Sequence, residues 1–396
     1  MTELVRADAP AGKHDERASR AVPTMLRRAA PALLAYTGTR LLGVVVLAIW
    51  AAVAGKSWHT LLSARWDSLW YSRIAEQGYG YTLRLPDGSI HSDLAFFPLL
   101  PWLERLISAL TPLDAAAAGL AVSWVASLFA AWGIFAIGDR LRGRRVGTAL
   151  VVLWGVLPVG IVQSMAYSES LFTALAAWAV YALLTGRWVW AGSLAALAGL
   201  TRPVGAAVIA AVWITAAVAL LPAGRRHRAW RPEHRRMLLG MTLAPLGWLG
   251  YVAWVGVRTG SVTGYFDVQN GWRNGFDGGV AFARFAGGLL AGPGFPAGLG
   301  LLGGVALLIW VFLRCVRRRE PLPLLVYAGV VLTLALTAKG YFGSKPRLLL
   351  PAFPILLPVA AALARLRTAR AVLVLGSVGL ASAAYGAFWL NGSGPP

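Results

Sequence analysis

The sequence predicts an all-α polytopic membrane protein with about eleven transmembrane helices, and three observations carry that prediction. Its 396 residues are 58% hydrophobic and only 13% charged, with a mean hydropathy of +0.63. A soluble chain carries about 25% charged residues. Apolar runs recur at close to the ~20 residues that cross a bilayer as a helix. The arginines gather in short loops at every second junction between runs, which marks those junctions as cytoplasmic.

In order, the expected spans are 31–53, 115–138, 146–162, 171–185, 188–200, 204–221, 237–257, 297–313, 322–338, 348–364 and 371–390. Residues 1–30 read as a disordered cytoplasmic tail without the apolar core and cleavage site of a signal peptide. Residues 31–390 form one transmembrane domain with external loops over 54–114 and 258–296, and 391–396 a short tail. The segment 96–110 is too short for a span. It carries Glu104 and Arg105 in its middle, and a charge at the bilayer centre costs several kcal/mol. It is expected to be an interfacial or re-entrant helix, which keeps the basic stretch 139–145 cytoplasmic. The 188–200 hairpin arm is the weakest span by length. Arg40 interrupts the first span, either snorkelling to the headgroups or meeting an ion partner or lipid phosphate inside the bundle.

The net charge of +21 does not point to nucleic acid, because the cations lie in inter-span loops where they set orientation and meet anionic lipid. One cysteine, Cys315, excludes an internal disulfide. The five histidines are scattered and form no metal set. No internal repeat is visible, which counts against transporter folds built by duplication.

The most informative stretch is RWDSLWYSRIAEQGYGY, 65–81, directly after the first span. An acid between two tryptophans at the lipid–water boundary is in reach of both a lipid-borne and a water-borne reactant. Asp67 is therefore the candidate catalytic residue, with Arg65, Trp66 and Trp70 beside it as candidate substrate-binding groups. Half of the 16 acids fall on the expected external side, Asp93 and Glu169 among them. Glu169 either complements a helix N-terminus or joins the site. Arg202 in a tight turn, and Lys345 and Arg347 in KGYFGSKPR (339–347), are external cations that run against the positive-inside tendency and suit a phosphate.

The 65–81 block, followed by LAFFPLLPWLERL (94–106), resembles the PIG-V-like mannosyltransferases of the C-type glycosyltransferase fold. MAYSESLF (165–172) is similar to that family's tyrosine-serine-glutamate element, and GLTRPVG (199–205) to its small-residue arginine turn. The resemblance implies a polyprenyl-phosphate mannose donor, a glycolipid or glycan acceptor of the cell envelope on the outer face, and Asp67 as the base. One carboxylate suffices for direct, inverting attack on the anomeric carbon. Many members of the wider fold carry paired acids in this loop. Here Ser68 follows Asp67, so no cofactor is assigned and a divalent cation stays an open alternative. The competing reading is a transporter or flippase of a lipid-linked sugar or polyprenyl phosphate.

Overall fold

The computed structural model describes residues 12–221 and 232–394, with side chains from residue 24 onward. Of the expected tail, residues 1–11 lie outside the described residues, and the chain is helical from Gly12. Most of the basic stretch 222–236 also lies outside them.

Six helices are long and apolar enough to cross a bilayer: Thr24–Val53, Ala115–Arg142, Pro203–Leu220, Pro232–Thr259, Phe295–Arg317 and Thr368–Asn391. The segment expected as the continuous span 348–364 is bent, either a broken seventh span or a re-entrant loop. Phe342–Leu348 and Phe353–Leu363 meet at 72°, across a stretch where Pro351 and Pro354 withhold backbone donors. Three further expected spans are shorter apolar helices, Ser168–Leu184, Trp188–Gly199 and Leu322–Thr337. The expected span 146–162 is a helix only over Arg144–Gly155. The eleven apolar runs thus yield six or seven full-length spans: three are continuous but short, and two are interrupted, since hydropathy counts apolar residues whether or not one helix joins them. The 258–296 loop also holds helices, Gly264–Gly271 and Val280–Leu290.

The main core is built from small side chains. Ala130, Ala131, Ala176, Ala177, Ala191, Ala195 and Ala211 are fully buried around Trp154, Phe172 and Tyr327. Trp188–Gly199 gains its close packing from glycine: a Cβ on Gly192 would strike Gly240, and one on Gly247 would strike the Ala196 carbonyl. Small residues at helix crossings let backbones approach closely where lipid supplies no hydrophobic drive.

Ion pairs and hydrogen bonds show which loops share an end of the bundle. At the basic end Arg28 pairs with Asp139 at 2.9 Å, Arg142 with Glu320, and Arg145 reaches the Leu366 carbonyl. At the other end Lys56 and Arg65 cap the C-terminus of Thr368–Asn391 through the carbonyls of Asn391 and Leu390. The 54–114 segment caps this second end. It holds helices Trp58–Ser63 and Asp67–Gln77, a two-stranded hairpin of Thr82–Arg84 and Ile90–Ser92, and helix Leu99–Leu110. That last helix fits the interfacial expectation. Trp102, Leu106 and Leu110 are exposed while Glu104 turns inward, its carboxyl lodged where Gly119 has no side chain.

Arg40 neither snorkels nor pairs with an acid. Its guanidinium donates to the carbonyls of Gly155, where the helix ends before Pro158, and Gly160, which opens the 3-10 turn Gly160–Ser164. Irregular backbone at membrane depth needs such internal donors. Gln163 completes the repair, donating to the Trp154 carbonyl and accepting from the Tyr36 hydroxyl, each at 2.8 Å. The 163–170 stretch, expected as an external turn, is buried.

Candidate active site

The repaired break delivers Tyr167, Ser168 and Glu169 into the interior at the capped end of the bundle. The same end receives Asp67 from the first long loop, Arg202 from the turn after Trp188–Gly199, and Arg347 from the bent segment. Asp67 opens its helix, where the N-terminal dipole favours a carboxylate. The residue before it, Trp66, is held at φ 52°, a rare conformation for a bulky side chain. Backbone outliers of this kind gather at functional sites.

Four charged side chains form one chain of contacts. Arg202 Nη1 lies 2.5 Å from Glu169 Oε1, Glu169 Oε1 lies 3.7 Å from Arg347 Nε, and Arg347 Nη2 donates to Asp67 Oδ2 at 2.6 Å. Two acids and two arginines balance in charge, as ions removed from water must. Glu169, Arg347 and Arg202 are 2%, 10% and 12% exposed at the side chain, whereas Asp67 is 24% exposed. The cluster thus reaches the surface chiefly through Asp67. Among the described residues no protein group hydrogen-bonds the other Asp67 oxygen. Arg347 Nε and Nη1 are buried without a hydrogen-bond partner, and unsatisfied buried donors are costly unless a ligand completes them.

Aromatic hydroxyls frame the cluster. The Asp67 amide donates to Tyr167 Oη at 3.4 Å, and the Arg347 guanidinium sits 5.0 Å from the Tyr167 ring centroid. Tyr71, one turn after Asp67, shares a 2.8 Å hydrogen bond with Ser168 Oγ, which also accepts from Arg202 Nη1 at 3.2 Å. Burial raises the Tyr71 phenol above its usual range, with Asp67 and Glu169 adding to the rise and Arg202 opposing it. Tyr71 carries no mark in the sequence motifs, whereas Tyr167 and Ser168 lie in MAYSESLF beside Glu169. The signal for Tyr71 was its i+4 spacing from Asp67 on a helix.

The other expected binding residues are engaged elsewhere. Asp93 is fully buried and accepts from the Gly80 and Tyr81 amides at 2.8 Å, so it pins the turn before the hairpin. Lys345 donates to the Ala335 and Ala338 carbonyls at 2.7 Å and closes the end of Leu322–Thr337. Arg65 stacks on Trp66 at 3.9 Å while holding the Leu390 and Gly392 carbonyls. Trp70 packs on Phe96 and Trp272 in the cap. Of the nine residues singled out, Asp67, Glu169, Arg202 and Arg347 are brought together. Among the described residues no three His, Cys, Asp or Glu side chains gather as a metal set, and both site carboxylates already face arginine.

Fold and cluster together describe a multi-pass membrane protein with a buried acid–arginine cluster at one end of the bundle. The chain belongs to the PIG-V mannosyltransferase family, whose profile matches residues 20–219 and so takes in Asp67, Glu169 and Arg202. The fold is ArnT-like, of the C-type glycosyltransferase kind. The crystal structure of ArnT from Cupriavidus metallidurans bound to undecaprenyl phosphate superposes with a TM-score of 0.52 at 15% identity, covering 85% of this chain and 62% of that one. The apo structure of ArnT from the same organism gives 0.51 at 16% identity, with 89% and 74% covered. The chain thus spans less than two thirds of the length of the undecaprenyl phosphate-bound ArnT. No curated protein matches.

Proposed function

We propose that this membrane mannosyltransferase is an inverting enzyme that moves mannose from a polyprenyl-phosphate donor to a hydroxyl of a cell-envelope glycolipid or glycan at the external face. The observation that carries the reading is the Asp67–Arg347 pair, which sets an acid with one open oxygen beside a guanidinium with two unpartnered donors. The ArnT complex with undecaprenyl phosphate supports the donor class.

In the step proposed, the acceptor oxygen bonds to the anomeric carbon while Asp67 takes its proton. The bond from that carbon to the phosphate oxygen breaks, and its electron pair leaves with the phosphate, whose growing charge Arg347 meets. A single carboxylate on the nucleophile's side gives inversion. The basic end of the bundle faces the cytoplasm in this reading, as the positive-inside rule directs.

The test is Asp67→Asn in liposomes with labelled polyprenyl-phosphate mannose and a scored lipid-translocation readout. Transfer collapses while insertion is retained; wild-type transfer by the variant rejects the assignment. Translocation without transfer by the unmodified chain supports the flippase reading instead.

A further inference from the structure

A guanidinium offers three sides, and the Arg347 contacts differ on each. Nη2 is bonded to Asp67. Nε faces Glu169 Oε1 at 3.7 Å, longer than a hydrogen bond. Nη1 is buried with no partner. Glu169 is itself almost fully buried and lies 2.5 Å from Arg202, so its charge is held between two arginines. Glu169 comes from one segment of the chain and its two arginines from two others.

We propose that Glu169 is a positioning residue for Arg347, taking the Nε side so that Nη1 is the side left for the donor phosphate. The inference rests on the function proposed above. Its consequence is geometric. Base and leaving phosphate occupy neighbouring corners of one rigid planar cation, which fixes their separation about the anomeric carbon between them. Holding reacting groups in place in this way lowers the barrier without tightening the ground state. A purely structural Glu169, joining three segments by ion pairs, would change the yield of folded protein and leave the turnover of each folded molecule untouched.

Charge makes the two roles separable. Glu169→Gln keeps the shape and leaves the cluster with net positive charge, so phosphate attraction persists while the guanidinium loses its anchor. The experiment measures kcat, the KM for donor and acceptor, and the Kd of a short-chain polyprenyl phosphate, all per folded full-length protein in liposomes. For Glu169→Gln the expected result is a kcat lower by about tenfold or more, an unchanged acceptor KM, and a polyprenyl phosphate Kd equal to or tighter than wild type. Glu169→Asp retains the charge one methylene short. It is expected to lose kcat several-fold less, and it decides the matter should the glutamine variant not fold. Wild-type kcat in the folded variants overturns the proposal, as does a raised acceptor KM or a weakened polyprenyl phosphate Kd. If Asp67→Asn transfers normally, the functional reading itself has failed. If that variant is dead while the Glu169 variants are normal, only the positioning role has failed.

Discussion

Arg347 Nη2 donates to Asp67 Oδ2 at 2.6 Å, joining two residues 280 positions apart. The bond holds the carboxylate by one oxygen and leaves the other open, so the acid is oriented without being blocked. A charge-assisted pair of this kind is stronger than a neutral hydrogen bond.

Arg347→Lys keeps the positive charge and removes the planar fork. An ammonium points its three donors from one atom, so it does not reach Asp67, Glu169 and a phosphate at the planar spacing the three guanidinium nitrogens set. The expected outcome is a fall of about a hundredfold in kcat/KM for donor, with the protein still inserted. Steady-state transfer from labelled donor checks it.

Arg40→Leu tests the helix break. The apolar side chain suits lipid, yet it leaves the Gly155 and Gly160 carbonyls without their donor. Hydrogen bonds from a charged group contribute about 1.5–3 kcal/mol each, so the variant is expected to unfold at lower temperature in detergent. The turnover of its folded fraction stays near normal, because Arg40 does not touch the acid–arginine cluster. Thermal unfolding and activity per folded molecule read the two effects separately.

Glu104 gives a pH dependence with a definite sign. Burial, reinforced by Glu76, raises its carboxyl well above the ordinary value of 4.5. The folded state then holds this proton more tightly than the unfolded state, so stability falls as pH rises from about 4.5 toward the raised value. Glu104→Gln mimics the protonated form and removes that slope. Unfolding temperatures across the pH range are expected to converge at the acid end and to favour the variant at neutral pH and above.

The proposed orientation is read by single-cysteine labelling. Cys315 is the sole cysteine, so a Cys315→Ala background is silent to a membrane-impermeant maleimide. Arg84→Cys, exposed on the hairpin, is expected to label in intact cells, and Arg367→Cys only after lysis. The reverse pattern places the Asp67 cluster on the cytoplasmic side and removes the external-face proposal.

Hydropathy and arginine placement determined the class of this protein, since each is a property of a short window that the bilayer reads directly. Asp67 was legible for the same reason: a polar-aromatic block after a span has no ordinary place in lipid. The course of two expected spans, 146–162 and 348–364, was not legible, because continuity of a helix there depends on Pro158 and Pro351 and on whatever donor reaches the carbonyls they expose. For the Pro158 break that donor is Arg40, a residue more than a hundred positions away. The site followed the same division. Lys345 and Arg347 stand two residues apart with like charge, and the sequence treats them alike. Only tertiary packing sends one to close a helix end and the other to Asp67. A buried charge goes to whichever partner the folded chain places within a few ångströms, and that distance is written in no local stretch of sequence.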